Sequence, residues 1–372
     1  MDRKPFSLRS LLNLNLLLVF GLVAIAVKWL GLFGGEEHNE VLIFATSALA
    51  IIPLADLIGE ATEQLSSRLG PQLGGLLNAT LGNAAELIIT IFALSHGLTE
   101  LVKASIVGSI LGNLLLVAGL SLLLGGLKHG RQRFNQRQAG MNATLIVLAF
   151  LALAIPSIFD VALVEFNALS AELLFSEGVA LILIILYGLS ILYTLREPSH
   201  RTSHQIEAPL NHAWSTPQAL GLLGAATLGI VIMSEFLVGS VEPVVAQLGW
   251  TEFFVGIIIV PIIGNVAEHL VAVQVAMKDQ MDLSLTISLG SSLQIALFVA
   301  PVLVFISLFF QNKLLLVFNV YELIALSAAS FITALIALDG ESNWFEGAML
   351  LAVYLILALA FFVLPGATPV TG

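Results

Sequence analysis

The sequence predicts an all-α polytopic membrane protein, and three observations carry that prediction. Hydrophobic residues make up 58% of the 372 and charged residues only 10%. Mean hydropathy is +1.00, outside the range of water-soluble domains. Apolar runs of about 20 residues, the length that crosses a bilayer as a helix, recur along the whole chain. They predict eleven spans: 11–33, 41–66, 73–95, 101–127, 139–158, 174–196, 217–241, 251–277, 281–308, 316–338 and 343–364.

The first run follows Arg3, Lys4 and Arg9, as a cleavable signal would, but it extends through Trp29 and Leu32 without an A-x-A-like site. It is read as a helix that stays. The chain has no cysteine, which excludes disulfides, iron–sulfur centres and thiolate zinc sites. A net charge of −11 offers no nucleic-acid surface, and several of the carboxylates fall inside predicted spans.

Lys and Arg set the expected orientation. With the N-terminus cytoplasmic, Arg3, Lys4, Arg9, Arg68, Lys128, Arg131, Arg133, Arg137, Arg196, Arg201 and Lys278 share that side. Lys313 lies opposite, with Lys28 and Lys103 near helix ends. An odd number of spans puts the C-terminus on the other side. The hydrophilic interval 196–218 joins the two halves. Its His200, His204 and His212 are read as solvated linker residues rather than a metal or pH sensor.

The spans from the second to the eleventh contain a repeat. A shift of 182 residues lays GNAAE (82–86) on GNVAE (264–268) and GSILGNLLLVAGL (108–120) on GSSLQIALFVAPV (290–302), without a gap. Eleven of the 39 positions from 82 to 120 are identical to their counterparts. Leu and Ala matches come cheaply in membrane helices; Gly82/Gly264, Asn83/Asn265, Glu86/Glu268, Gly108/Gly290 and Ser109/Ser291 do not. A five-helix unit reverses the side on which its second copy starts, so the halves are expected to be inverted, with a substrate site near the midplane. The expected organisation is a tail and extra helix (1–36), a first repeat (37–196), a linker (197–216) and a second repeat (217–372).

A carboxylate in mid-span costs about 2.5–3.5 kcal/mol on insertion scales, so Glu86 and Glu268 are expected to meet water, a cation or a proton. Asn83, Glu86 and Thr90 share one helix face, as do Asn265, Glu268 and, approximately, His269. Gly82 and Gly264 favour local unwinding that bares carbonyl oxygens. The following helices add Ser109 and Asn113, then Ser291 and Gln294, while Gly108, Gly112 and Gly290 permit close backbone approach. A site built of oxygen with two carboxylates suits a hard cation such as Ca²⁺, whereas zinc or copper prefers His and Cys.

Two adjacent carboxylates repel unless a divalent cation or protons neutralise them, so the two ligands compete and an exchanger results. Glu63 and Glu235, each on the helix before its motif helix, are read as proton or cation relays. Asp56, Glu60 and Glu242 are read as wall or mouth residues. His269 is read as an interhelical hydrogen-bond donor, with a relay role as the functional alternative.

The stretches GGLLNATLGNAAELIITIFAL, GSILGNLLLVAGLSLLLGGLKHGRQRFN, GNVAEHLVAVQVAMKDQMDLSLTISLGSSLQIALFVAPVLVF and DGESNWFEGAMLLA closely resemble the calcium/proton (cation/proton) exchanger family of the calcium/cation antiporter superfamily, over about residues 40–364. The resemblance implies a proton-driven carrier that removes Ca²⁺ from the cytoplasm by alternating access. It implies that Glu86 and Glu268 are cation ligands and that Asn83, Asn265, Ser109, Ser291 and Gln294 help form the pathway. Gly82 and Gly264 open the motifs. It matches Glu63 and Glu235 to paired acidic positions linked to cation and proton passage.

The implied partners are Ca²⁺ and H⁺, both substrates, with no cofactor; a homo-oligomer is compatible with the apolar faces. Only about ten residues precede the first helix, where eukaryotic members often carry a long extension, so a bacterial or organellar membrane is expected. The loop 196–218 has only Glu197 and Glu207, fewer acids than many members carry there. A sodium/calcium exchanger is the nearest alternative; Ala84, Ala85, Val266 and Ala267 stand where those proteins place hydroxyls and Pro. A broader Mn²⁺/proton antiporter is the other. A channel built on a ring of acids, or an intramembrane metal hydrolase with only His269 and His96 as nitrogen ligands, fits the sequence poorly.

Overall fold

The computed structural model describes residues 14–30, 36–165, 169–196 and 214–364. The linker histidines and the N-terminal Arg3, Lys4 and Arg9 lie outside the described residues. Helices form nearly all of what is described: α1 (Leu18–Leu30, after a 3-10 turn at Leu14–Leu17), α2 (Glu36–Leu81), α3 (Ala84–Ser95), α4 (Thr99–His129), α5 (Gln136–Glu165), α6 (Leu169–Arg196), α7 (Thr216–Gly239), α8 (Val241–Leu248), α9 (Glu252–Ala276), α10 (Met281–Ser307), α11 (Val320–Asp339) and α12 (Trp344–Val363). Among the described residues nine helices are long and apolar enough to cross a membrane, and Leu18–Trp29 and Ala84–Ser95 are shorter apolar helices.

The second and third predicted spans need correction. The expected interruption at 67–72 is not a loop, because α2 continues to Leu81. The non-helical step comes instead at Gly82 and Asn83, inside the predicted span 73–95. The helix α2 is nevertheless bent: a side chain on Gly74 would strike the carbonyl oxygen of Ser66. Eight residues of straight helix would hold these positions about 12 Å apart.

Other boundaries moved for local reasons. Asn319 and Glu322 form a capping box that starts α11 at Val320 rather than 316. Ser215 and Gln218 do the same for α7, and Asn343 and Glu346 for α12. The seventh span stops at Gly239, and α8 is a separate short helix.

Among the described residues three π-helical turns interrupt the helices: Gly112–Val117 in α4, Val255–Ile259 in α9 and Ile295–Val299 in α10. A π turn adds a residue to the helical turn and re-aims the side chains beside it. The first and third stand in the same register under the 182-residue shift.

Packing pairs equivalent elements across the chain: α2 lies against α7, and α5 against α11. The helices α4, α9 and α10 are the most enclosed, and their buried Leu, Ile, Val and Ala form the centre of one apolar core. At one end the segment after α4 clasps two turns of the second half. Strand β1 (Gln132–Arg133) pairs antiparallel with β2 (Glu341–Ser342). Gln132 donates to the Ala276 carbonyl at 3.0 Å and to Asp279 at 2.9 Å, and Lys128 and His129 both reach the Met277 carbonyl at 2.8 Å. This end carries Lys128, Arg131, Arg133 and Lys278, four of the residues expected on one side. At the other end Asn312 donates to the Gly97 carbonyl, and Ser240 and Lys28 both meet Glu40.

Candidate functional site

The two GNxxE segments face each other at the centre of the molecule. The break at Gly82–Asn83 makes Asn83 the N-cap of α3, so Glu86 sits in the first turn of that helix rather than midway along an unbroken one. The positive end of the helix dipole therefore points toward its carboxylate. In the second copy α9 runs unbroken from Val260 to Ala276, and the expected unwinding at Gly264 is absent. The irregularity lies upstream instead, in the π turn Val255–Ile259, with Pro261 after it.

The contacts cross from one copy to the other. A methyl group on Gly264 would lie 3.2 Å from Glu86 Cγ and 3.4 Å from its Oε1. One on Gly82 would lie 3.5 Å from Glu268 Oε1 and 3.8 Å from Gln294 Oε1. Each motif's glycine is thus the floor on which the other motif's carboxylate rests. Asn83 Nδ2 donates to Gln294 Oε1 at 2.5 Å, and Ser291 Oγ donates to Asn83 Oδ1 at 3.4 Å. Reciprocally, Asn265 Nδ2 donates to Ser109 Oγ at 3.3 Å and to the Pro261 carbonyl at 3.0 Å. Asn113 donates to Ser291 Oγ at 3.0 Å, which makes it a full member of the network. It lies within the π turn of α4.

The chemistry of this cluster is lopsided. Glu86 Oε2, Glu268 Oε2 and Asn265 Oδ1 are buried acceptors without a donor among the described residues. The amide donors of Asn83, Asn113 and Asn265 are engaged with neutral oxygens instead. A buried acceptor left unmatched costs about 1–3 kcal/mol, more when charged. A hard cation or protons would satisfy all three. No group of three or more His, Cys, Asp or Glu able to hold a metal occurs among the described residues, so any cation here relies on two carboxylates and neutral oxygens.

The segments before and after the first motif differ in exposure. Asn78 and Thr80 are exposed and Glu268 is part-buried, whereas Ile89, Thr90, Ala93 and Leu94, beyond Glu86, are buried.

Several expected residues fall elsewhere. Thr90 shares the face of Glu86 but donates its hydroxyl to the Glu86 carbonyl at 2.6 Å. Glu63 is exposed on α2. Glu235 is half exposed and pairs with His96 Nε2 at 3.8 Å. His269 Nε2 has no hydrogen-bond partner among the described residues, so the expected interhelical bond is not made through it. Of the close-approach glycines, Gly108 fits: a Cβ there would strike the Ile257 carbonyl and lie 2.7 Å from Pro261 Cγ. Gly112 and Gly290 have nothing within 4 Å of that position.

A family model described as sodium/calcium exchanger protein matches residues 39–196 and 218–363. The chain belongs to that family. Both matched blocks contain one GNxxE segment, and the interval they leave out is the linker. Within the family the chain is similar to the Ca(2+)/H(+) antiporter ChaA of Bacillus subtilis, 46% identical over 353 residues, 93% of this chain and 99% of that one. The Ca(2+)/H(+) antiporter of Aphanothece halophytica is 43% identical over 366 residues, 94% of this chain and 96% of that one. The solved structure of native YfkE superposes with a TM-score of 0.80 at 42% identity, covering 94% of this chain and all of that one. The H⁺/Ca²⁺ exchanger CAX shares the fold, with a TM-score of 0.67 at 18% identity over 96% of this chain and 92% of that one.

Proposed function

We propose that the protein exchanges Ca²⁺ for H⁺ across a membrane by alternating access and so removes Ca²⁺ from the cytoplasm. The observation that carries this reading is the facing pair Glu86 and Glu268, each with one buried carboxylate oxygen, Oε2, that lacks a donor among the described residues. The relatives named as Ca(2+)/H(+) antiporters, at 43–46% identity over nearly the whole chain, support it.

In this reading Asn83, Asn265, Ser109, Ser291 and Gln294 complete an oxygen cage for Ca²⁺, between the glycine floors Gly82 and Gly264. Protons replace the cation on the two carboxylates, and the carrier crosses only when one or the other neutralises the pair. Glu63, Glu235 and His269 serve as relays away from the cage. The apolar Ala84, Ala85, Val266 and Ala267 beside each Glu favour H⁺ over Na⁺ as the counter-ion.

The architecture fits eleven spans, an extra first helix and two inverted five-helix repeats. Its support is the pairing of α2 with α7 and of α5 with α11, and the π turns recurring in register. The basic clasp side is taken as cytoplasmic, with the C-terminus opposite.

Ca²⁺ uptake into proteoliposomes under an imposed pH gradient tests the reading. Uptake that follows the pH gradient, ignores Na⁺ and disappears in Glu86→Gln and in Glu268→Gln is expected. Uptake that requires Na⁺, or that survives both substitutions, would overturn it.

A further inference from the structure

The helices α4 and α10 run antiparallel through the centre. Their register is fixed at one point by the Asn113–Ser291 hydrogen bond and at the basic end by Gln132 meeting Asp279. From the first point, eight residues along α4 lead to Ser121 and seven residues back along α10 lead to Ser284. At 1.5 Å per residue these are about 12 Å and about 10.5 Å, so the two serines stand at nearly the same depth. Both are 0% exposed, and neither hydroxyl has a partner among the described residues.

Between them and the cage, Ser288 and Ser291 continue the same face of α10. Ser288 is also fully buried and donates to the Ser284 carbonyl at 3.2 Å, which leaves its oxygen free to accept. Ser291 lies against Glu268 and donates to Asn83. Neighbouring positions on this face are about 5–6 Å apart, the span that one water bridges with two hydrogen bonds of about 2.8 Å.

The other half lacks this feature. Under the 182-residue shift Ser284, Ser288 and Ser121 correspond to Val102, Ile106 and Leu303, all buried and apolar. Only Ser291 has a hydroxyl counterpart, Ser109. Three of the four hydroxyls are therefore peculiar to one half, where the shifted positions are apolar; on the other side of the cage the buried Ser105 lies four residues from Ser109.

We propose that Ser121, Ser284, Ser288 and Ser291 hold a file of water that carries protons between the basic side and the Glu86–Glu268 pair, apart from the path of Ca²⁺. This rests on the exchanger reading above. Each water accepts a proton on one side as it gives one up on the other, so O–H bonds form and break in equal number, and the serine oxygens hold the waters in line by accepting from them. The proton comes from the aqueous phase and ends on a Glu268 carboxylate oxygen vacated by Ca²⁺, and the reverse transfer runs when Ca²⁺ binds.

The test compares two transport modes in proteoliposomes: pH-gradient-driven Ca²⁺ uptake, and Ca²⁺/Ca²⁺ self-exchange, which needs no net proton movement. In the Ser121→Ala/Ser284→Ala double variant, driven uptake is expected to fall about tenfold, the loss of roughly one hydrogen bond's worth of barrier, with self-exchange unchanged. Ser288→Ala, a smaller change, is expected to give the same split if the double variant yields no folded protein. Equal loss in both modes would mean that the serines only support the fold, and no loss in either would mean that protons travel elsewhere; each result overturns the file. Failure of the wild type to take up Ca²⁺ under a pH gradient would instead overturn the exchanger reading itself.

Discussion

Glu86 and Glu268 have matching motifs and different surroundings. The first is buried in the opening turn of a short helix, and the second is part-buried in an unbroken one. What they share is a glycine of the other copy so placed that an added methyl group would meet the carboxylate side chain. Gly264→Ala would press a methyl group onto the Glu86 side chain and is expected to weaken Ca²⁺ binding sharply, whereas Gly112→Ala, with open space around it, is expected to bind as the wild type does. Isothermal titration with Ca²⁺ compares them. Asn83→Ala removes the residue that ties Gln294 to Ser291 and is expected to lower Ca²⁺ affinity about 10–100-fold, the usual cost of losing a group that orients ligands. The two glutamates, their asparagines and the serines were legible from the repeat alone. The crossed pairing of glycine and carboxylate was not, because it depends on how two segments 182 residues apart meet.

At the scale of elements, the interruptions hold the site in place. Gly82 and Asn83 end α2 and begin α3, and Asn113, in one π turn, and Gln294, just before another, hydrogen-bond to Ser291 and Asn83. Hydropathy located the apolar helices, nine of them long enough to cross a membrane among the described residues, but misjudged this break. A run such as 73–95 is equally apolar whether it is one helix or two, and a single Gly-Asn step changes mean hydropathy little. The caps at Ser215, Asn319 and Asn343 were readable signals, each followed three residues later by Gln or Glu. The π turns leave no mark in an apolar pattern, and only the recurrence of the surrounding residues hints at them. Gly108→Leu would drive a side chain into the Ile257 carbonyl and is expected to destabilise the protein by at least about 1–3 kcal/mol, seen as a lower thermal midpoint in detergent. Asn343→Ala removes the cap of α12, with an expected cost of about 1 kcal/mol by the same assay.

For the whole molecule, the two ends differ in kind. One is a basic clasp binding the segment after α4 to the turns that follow α9 and α11; the other is stitched by Glu40 and Gly97. Asn78 and Thr80, before the motif, are exposed and Ile89, Thr90, Ala93 and Leu94, beyond it, are buried, so the proposed cage is expected to be reached from the clasp side. Since the chain has no cysteine, single cysteines report on this directly. Cysteines at Arg131 and Asn78 are expected to react with an impermeant thiol reagent from the same side, and one at Asn312 from the opposite side. Ca²⁺ is expected to protect position 78 alone. Reaction of 131 and 312 from one side would contradict the alternation of the helices.

The central claim is that Ca²⁺ and protons occupy the same two carboxylates. Its most direct test is calorimetric Ca²⁺ binding to the purified protein in buffers of different ionisation enthalpy, which counts protons released per Ca²⁺ bound. Proton release is expected on binding by the wild type, and loss of binding in both Glu86→Gln and Glu268→Gln. Binding that releases no protons, or that persists with its release intact in either variant, would contradict it.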